Sequence, residues 1–553
     1  MAVHPNRDAT SWKKVFFSEF YANVRMFFSQ NHEAYDEFNE IQDVEEKIRY
    51  LCRNPVVQAE SEKLMATYNE SRKPLKRSNV VKAKPSQKTS KPWWINPKSV
   101  QFPQMHAQLA VKDLPGKGRA LVAQSKIQAG ELLISESPFV HNLYYDYLDR
   151  YCFHCSRRLL CEVENGFQTC TRCQMAKFCS KDCLEASVQA YHWAECAVLE
   201  ELIHDSCLGP MAPLVYRTLI KTGLEGILST IKERDTQLDP PRYDSQDYFS
   251  VYMQATNYEK REGGEVFRRC VTSIYLSHLL QFAEFFGTII DSGVDDGSHD
   301  ERLPITTTTM MMRNAKRYDD PGSLLPKVCG VMVRHMMSCS CNAYELSELT
   351  RGAEKGLQSL ELGGAVYANV SLSNHSCYPN TLRYNEGTLC IVRAVMDINK
   401  GEEITDNYGY FFQSLPKPER QTQLAKQYHF ICNCRACREN WSTVKEMSGR
   451  EIAFKCRHCQ SPAPTTALKK CQRCRKELQL GKVGKKVENV RRFALQTAKS
   501  LTIENADKMR QIYTELLNEI KPNVILPCYD ILLCEQIISH CYTIKGNFHQ
   551  DQP

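Results

Sequence analysis

Apolar positions change their spacing several times along the chain, and each change predicts a different class of element. Over residues 12–70, Trp12, Val15, Phe16, Phe20, Val24, Phe27 and Phe28 recur at helical intervals, which predicts a small helical bundle or cap. From Gln108 to His141 the pattern becomes short apolar runs punctuated by Gly and Pro, LAVKDLPGKGRALVAQSKIQAGELLISESPFV, as strands require. Helical spacing returns over 197–290. A long loop is expected over 291–325, then strand-like segments from about 328 to 410. Roughly the last 70 residues read as helices, with Val487, Val490, Phe493, Ala494, Leu516, Leu517 and Ile520 on plausible apolar faces. No internal repeat is evident. The 553 residues allow several domains, and the pattern predicts an α+β fold.

Composition adds exclusions. Hydrophobic residues make up 42% and charged residues 24%, ordinary for a soluble globular protein. The N-terminal MAVHPNRDATSWKK has no apolar core, so no secretory signal is expected. The most apolar stretch, Ile274 to Ile290, carries His278, Gln281 and Glu284, which a bilayer would penalise. A soluble intracellular chain with no membrane partner is expected. The net charge of +7 is localised: nine of the 71 Lys and Arg, and none of the 64 Asp and Glu, lie between Ser71 and Gln101. This segment reads as a flexible tether. A nuclear-import signal and a weak nucleic-acid contact are its other readings.

The 26 cysteines change the picture most. In a reducing compartment, paired CxxC clusters point to metal rather than disulfides. Cys152-x2-Cys155 is followed by Cys170-x2-Cys173, then Cys179, Cys183, His192 and Cys196. These eight ligands make two tetrahedral zinc sites. Cys179/Cys183 and His192/Cys196 have the spacing of one helical face, so each site takes one CxxC turn and one helical pair. Such a short module buries little core, and ligation supplies on the order of 10 kcal/mol per structural site. Closed four-ligand sites are not catalytic. Further on, Cys432-x-Cys434-x2-Cys437 offers three thiolates, and Cys377 is a candidate fourth. Cys456, Cys459, Cys471 and Cys474 form a complete four-thiolate set for a fourth zinc. The remaining cysteines, such as Cys52, Cys207 and Cys541, are expected to be buried small apolar residues.

The first module resembles the MYND zinc finger. That resemblance implies interleaved sites, Cys152, Cys155, Cys179 and Cys183 in one, Cys170, Cys173, His192 and Cys196 in the other. It also implies a protein-interaction role, often toward proline-rich peptides. Around it, Gly116-Lys117-Gly118-Arg119, Ala129-Gly130-Glu131, Cys341-Asn342-Ala343-Tyr344, SLSNHSCYPN, GEEITDNYGY and the CxCxxC run resemble, in order, a SET domain. The chain is therefore similar to the SET- and MYND-domain-containing protein lysine methyltransferases over roughly residues 105–480. The resemblance implies a SET β-fold split by a MYND finger (152–196), with strand-bearing parts at 105–151 and 328–412. Spacing and charge add a helical N-terminal region (1–70), a basic linker (71–104) and a helical insert with a mobile loop (197–327). A post-SET zinc segment (413–440), a ribbon-like CxxC pair (441–480) and a short helical C-terminal region (481–553) follow.

The same resemblance implies site roles. Lys117, Gly118 and Arg119 lie beside S-adenosylmethionine; Asn342, Asn374 and His375 contact it; Phe430 stacks near its adenine. Tyr408 is the catalytic tyrosine, and Cys377, Cys432, Cys434 and Cys437 hold a third zinc. The implied activity is methyl transfer to a lysine of a protein substrate, by a monomer found in nucleus and cytoplasm, without direct nucleic-acid binding. Ala120, where the family usually has Gly, and Arg334 and Ser340, where it commonly places an aromatic and an acid, favour the alternative of a weak or inactive adaptor. Relatives end in a longer helical domain; here the helices must dock on the SET core, or the chain is a truncated form.

Overall fold

The computed structural model describes residues 16–71, 98–99, 102–159, 167–205, 207–236, 243–286, 324–352 and 356–550. Most of the linker and loop expected over 71–104 and 291–325, with Trp12 and Val15, lies outside these residues. The strands are β1 (Leu109–Leu114), β2 (Gly118–Ala123), β3 (Leu132–Glu136), β4 (Val140–Leu143), β5 (Gln168–Thr169) and β6 (Lys177–Phe178). After the helical insert come β7 (Ala343–Gly352), β8 (Gly356–Val366), β9 (Asn374–His375), β10 (Thr381–Glu386), β11 (Leu389–Ala394) and β12 (Thr405–Asp406). β13 (Phe454–Lys455), β14 (Pro462–Ala463) and β15 (Phe548–Gln550) close the series.

Small sheets pack around one apolar centre of Leu121, Ile134, Leu346, Tyr367 and Val392. β1 and β2 form an antiparallel hairpin, β3, β11 and β10 a second sheet, and β4, β8, β7 and β15 a third. β9 and β12 pair in parallel, Asn374 beside Thr405 and His375 beside Asp406. Two chain segments that meet at the site are thus joined by main-chain register.

The N-terminal helices Phe17–Gln30, His32–Glu40, Val44–Arg53 and Pro55–Ser71 do not form a separate cap. Phe17, Phe20, Val24 and Phe28 line one buried face that packs on the insert helix Gly263–Phe282. Phe28 and Phe38 meet Phe267 with ring centroids 5.0 and 5.2 Å apart. The strand expectation from residue 328 is corrected: Leu324–Asn342 is a helix, and β7 begins only at Ala343. Its buried residues, Val328, Cys329, Met332, Val333, Met336 and Met337, recur at helical spacing. The run is apolar on most sides, so length alone separates it from a buried strand.

The cysteine-rich module sits between β4 and the insert. It is joined to them by Arg217, whose Nε and Nη2 donate to the Glu195 carboxylate at 2.5 and 3.0 Å. Nη1 donates to the His141 carbonyl, and the guanidinium lies over the Tyr191 and Phe153 rings. Both ionic partners are buried.

The C-terminal helices Leu480–Ser500, Ala506–Ile520 and Tyr529–Thr543 dock on the sheets that carry β7, β8 and β10. β15 adds to β7 in parallel, and Asn547 bridges Gly387 and Ser347 through its side chain. A Cβ on Gly546 would fall 2.4 Å from the Asn385 carbonyl oxygen, so this close approach needs glycine. Val487, Val490, Ala494, Leu517 and Ile520 are buried, but Phe493 is 44% exposed and does not share that face. Cys52 and Cys541 are buried as expected, whereas Cys207 is exposed. Among the described residues no helix is long and apolar enough to cross a membrane.

Arg217→Met is expected to destabilise the chain by about 3–5 kcal/mol, because it leaves Glu195 buried and unpaired. Denaturant unfolding of the full chain measures this.

Candidate functional site

The structure gathers the cysteines into four sets, each with ligand atoms within 4.8 Å of one another. They are Cys152, Cys155, Cys179 and Cys183; Cys170, Cys173, His192 and Cys196; Cys377, Cys432, Cys434 and Cys437; and Cys456, Cys459, Cys471 and Cys474. A tetrahedron with Zn–S bonds of about 2.3 Å has edges near 3.8 Å. The observed Sγ–Sγ separations are 3.6 Å for Cys155–Cys179, 3.6 Å for Cys170–Cys196, 3.9 Å for Cys377–Cys432 and 3.6 Å for Cys459–Cys471. His192 Nε2 lies 3.7 Å from Cys173 Sγ. No pair approaches the roughly 2.05 Å of a disulfide, so each set fits one zinc.

The CxxC turns share one backbone device. The residue after the second cysteine takes a positive φ: Ser156 (56°), Gln174 (56°), Gln460 (60°) and Arg475 (62°). Its N–H donates to the carbonyl of the first cysteine at 2.8–3.0 Å in all four. None of these residues is glycine, so ligation holds a conformation that costs energy elsewhere. Cys179 precedes the helix Lys181–Ser187 rather than lying on it, with Ser180 as N-cap. Its pairing with Cys183 therefore comes from a helix start and not from a helical face.

One cavity of about 1140 Å³ lies beside the Cys377 set. Its lining includes Lys117, Gly118, Arg119, Asn342, Asn374, His375, Tyr408 and Phe430. Lys117 lies in the β1–β2 turn and Gly118 and Arg119 open β2; Gly116 and Gly118 both adopt φ +71°, open to glycine at no steric cost. Asn342 ends the helix Leu324–Asn342, and Asn374 and His375 form β9. Phe430 follows His429, which closes the helix Lys417–Tyr428 in a left-handed conformation at φ 61°.

Polar groups around the cavity are strongly directed. Asn342 spends its amide N–H groups on the Ala255 and Ser338 carbonyls, both at 2.8 Å. Asn374 spends its own on Glu403 Oε1 at 2.9 Å and the Arg119 carbonyl at 3.4 Å. Both side chains are left with an oxygen to accept from a ligand. Lys117 Nζ also pairs with Glu403. The Tyr408 hydroxyl donates to the Ser373 carbonyl at 2.9 Å, and its backbone N–H donates to His375 Nδ1 at 3.1 Å. Burial, then the Asp406 charge, pushes the Tyr408 phenol well above its ordinary range, so it stays neutral. Burial holds the His375 imidazole down at about 4. Tyr428 lies 4.7 Å from Tyr408 between ring centroids, and Phe430 lies 6.0 Å from His375.

Ala120, Arg334 and Ser340 do not line the cavity. Ala120 is fully buried in β2. Arg334 donates to the Tyr252 carbonyl and covers the Tyr252 ring. Ser340 Oγ accepts from Arg261.

Sequence reasoning missed several participants. Glu403, Tyr428 and Gln254 line the cavity, but a single acid, tyrosine or glutamine carries no pattern. Arg420 is fully buried and donates to Cys377 Sγ at 3.2 Å and Cys437 Sγ at 3.7 Å. It offsets the negative charge that four thiolates leave around a divalent ion. In the sequence it reads as one more charge on a polar helix.

Comparisons with known proteins follow the same lines. The SET domain family matches residues 118–409. The chain is 26% identical over 413 residues to the human (Homo sapiens) protein-lysine N-methyltransferase SMYD4, covering 65% of this chain and 49% of that one. It is 22% identical over 354 residues to the N-lysine methyltransferase SMYD2-B of Xenopus laevis, covering 64% and 65%. The chain spans about half the length of the SMYD4 relatives it matches. A solved SET domain of LSMT bound to lysine and AdoHcy aligns over 88% of this chain and 90% of its own, at 11% identity and a TM-score of 0.23.

Native mass spectrometry is expected to count four zinc ions per chain, one for each set. Cys471→Ser, in the set farthest along the chain, should remove one ion and leave three. An unchanged count would contradict the assignment.

Proposed function

The chain belongs to the SET-domain family, and from that premise we propose that it is an S-adenosylmethionine-dependent protein-lysine N-methyltransferase with zinc as scaffold. One observation carries this reading: Tyr408, His375, Asn374, Asn342 and Phe430, from four separate elements, face a single cavity whose polar wall is left with acceptors. The amide oxygens of Asn342 and Asn374 suit a ligand rich in N–H and O–H donors. Phe430 and His375 add flat apolar surface for a base. The residues present therefore fit S-adenosylmethionine, which when bound supplies a methyl group on a sulfonium.

The chain's own contribution is positioning and desolvation. A substrate lysine has a reference pKa of about 10.4, and a dry channel favours its neutral amine. The Tyr408 proton is committed to Ser373, which turns the oxygen lone pairs toward the cavity to orient that amine. Tyr408 and Tyr428 lie against each other at the same wall, their rings tilted by 38°, and restrict the amine's approach, which shortens the search for alignment. Ala120, Arg334 and Ser340 pack away from the cavity, so the departures that suggested an inactive adaptor do not obstruct it. The zinc module at 152–196 is proposed to recruit protein partners, proline-rich peptides among them, and the basic segment supports residence in the nucleus as well as the cytoplasm.

Calorimetry on the zinc-loaded chain is expected to show S-adenosylmethionine binding on the order of micromolar, lost in the double variant Asn374→Ala, His375→Ala. Tyr408→Phe should keep that affinity and lower methyl transfer by roughly 100-fold. A folded, zinc-replete chain with no binding would refute the enzyme reading.

A further inference from the structure

Glu136 ends β3 at the centre of the fold, opposite Cys390 of β11, and is fully buried. Among the described residues its carboxylate meets no cation. Instead it accepts from three consecutive backbone N–H groups. Oε1 accepts from Ala368 at 2.8 Å and Asn369 at 3.0 Å, and Oε2 accepts from Asn369 at 3.0 Å and Val370 at 2.9 Å. Asn369 Nδ2 adds a further bond to Oε1 at 3.0 Å. Successive N–H groups converging on one anion form a nest, normally filled by a ligand; here the chain fills it with its own side chain.

The anchored turn leads directly into the cavity. Ala368, Ser371, Leu372 and Asn374 line it. The turn also supplies the acceptors for two tyrosines: the Val370 carbonyl takes the Tyr344 hydroxyl at 3.1 Å, and the Ser373 carbonyl takes the Tyr408 hydroxyl at 2.9 Å. Glu136 is connected to Tyr408 by two rigid links, carboxylate to turn and turn carbonyl to phenol. Gln254 also donates to the Tyr367 carbonyl and Ser371 Oγ, and the Ser373 N–H donates to the Val370 carbonyl at 3.0 Å, which couples the anchored amides to the Ser373 carbonyl.

We propose that Glu136 is a positioning residue for methyl transfer: by binding the 368–370 amides it fixes the Ser373 carbonyl and so the orientation of the Tyr408 hydroxyl. This rests on the methyltransferase reading, with Tyr408 at the reacting amine. A neutral side chain of the same size keeps the volume but presents a donor to a row of donors, so the turn must loosen.

The test uses the full, zinc-loaded chain as wild type, Glu136→Gln and the milder Asn369→Ala, with Arg217→Met as a remote destabilised control. Hydrogen exchange is read over residues 366–374, and kcat and the cofactor KM are measured separately. In Glu136→Gln these amides should exchange at least about tenfold faster, kcat should fall at least about tenfold, and the cofactor KM should move less than about threefold. Asn369→Ala should shift exchange and kcat in the same direction by less. Arg217→Met should leave kcat unchanged at temperatures where it is folded, and should speed exchange across the chain rather than selectively over 366–374. Unchanged exchange in both turn variants, or faster exchange with kcat intact, would overturn the proposal. If the wild-type chain transfers no methyl group, the methyltransferase reading fails, while exchange still decides whether Glu136 holds the turn.

Discussion

Cys377 belongs to two structures at once, and the cavity depends on that double membership. Two residues before it, His375 pairs with Asp406 in a parallel register; its own sulfur sits with those of Cys432, Cys434 and Cys437. A single tetrahedral set therefore ties the strand that carries Asn374 and His375 to the segment that carries Tyr428 and Phe430. Holding such distant segments together costs loop-closure entropy. Metal ligation offsets it, with a small apolar cluster of Phe412, Leu424 and Trp441 around the sulfurs. Arg420, donating to two of the thiolates from inside that cluster, completes the charge balance.

The same logic recurs at each end of the molecule. The first module has little apolar interior of its own, yet Phe153, Phe178 and Trp193 join one continuous core with the N-terminal helices and the insert. Its two metal sets hold the local turns, while Arg217 and Glu195 fix it to the rest. The last set, Cys456 to Cys474, joins the apolar core of the C-terminal helices, which in turn reach the SET core through β15 and Asn547. Zinc bound at these sets would make short segments rigid enough to serve as walls, and the β-sheets carry the register between them.

Much of this was legible in the sequence because thiolate chemistry leaves a pattern. CxxC spacing survives in any context, so the membership of the metal sets could be read from residues alone and, for the interleaving, from the family resemblance. Helix and strand classes were also readable where periodicity was clean, as in Phe20, Val24 and Phe28. The reading failed where burial was all-round. The helix Leu324–Asn342 is apolar on most faces, and without alternation or an amphipathic stripe its period is hidden. Phe493 is exposed although its spacing suits the apolar face, because helical spacing alone does not say which neighbour covers a residue. Glu136 and Arg420 were invisible for a different reason: a lone charge in sequence looks solvated, and only the fold reveals that its partners are three amides or two sulfurs.

The claim that the Cys377 metal set builds the cofactor cavity is tested most directly by S-adenosylmethionine titration of Cys437→Ser, with bound zinc counted on the same sample. Loss of one zinc together with at least a tenfold weaker cofactor affinity, the other sets still metallated, is the predicted result. Loss of that zinc with cofactor affinity unchanged would contradict the account.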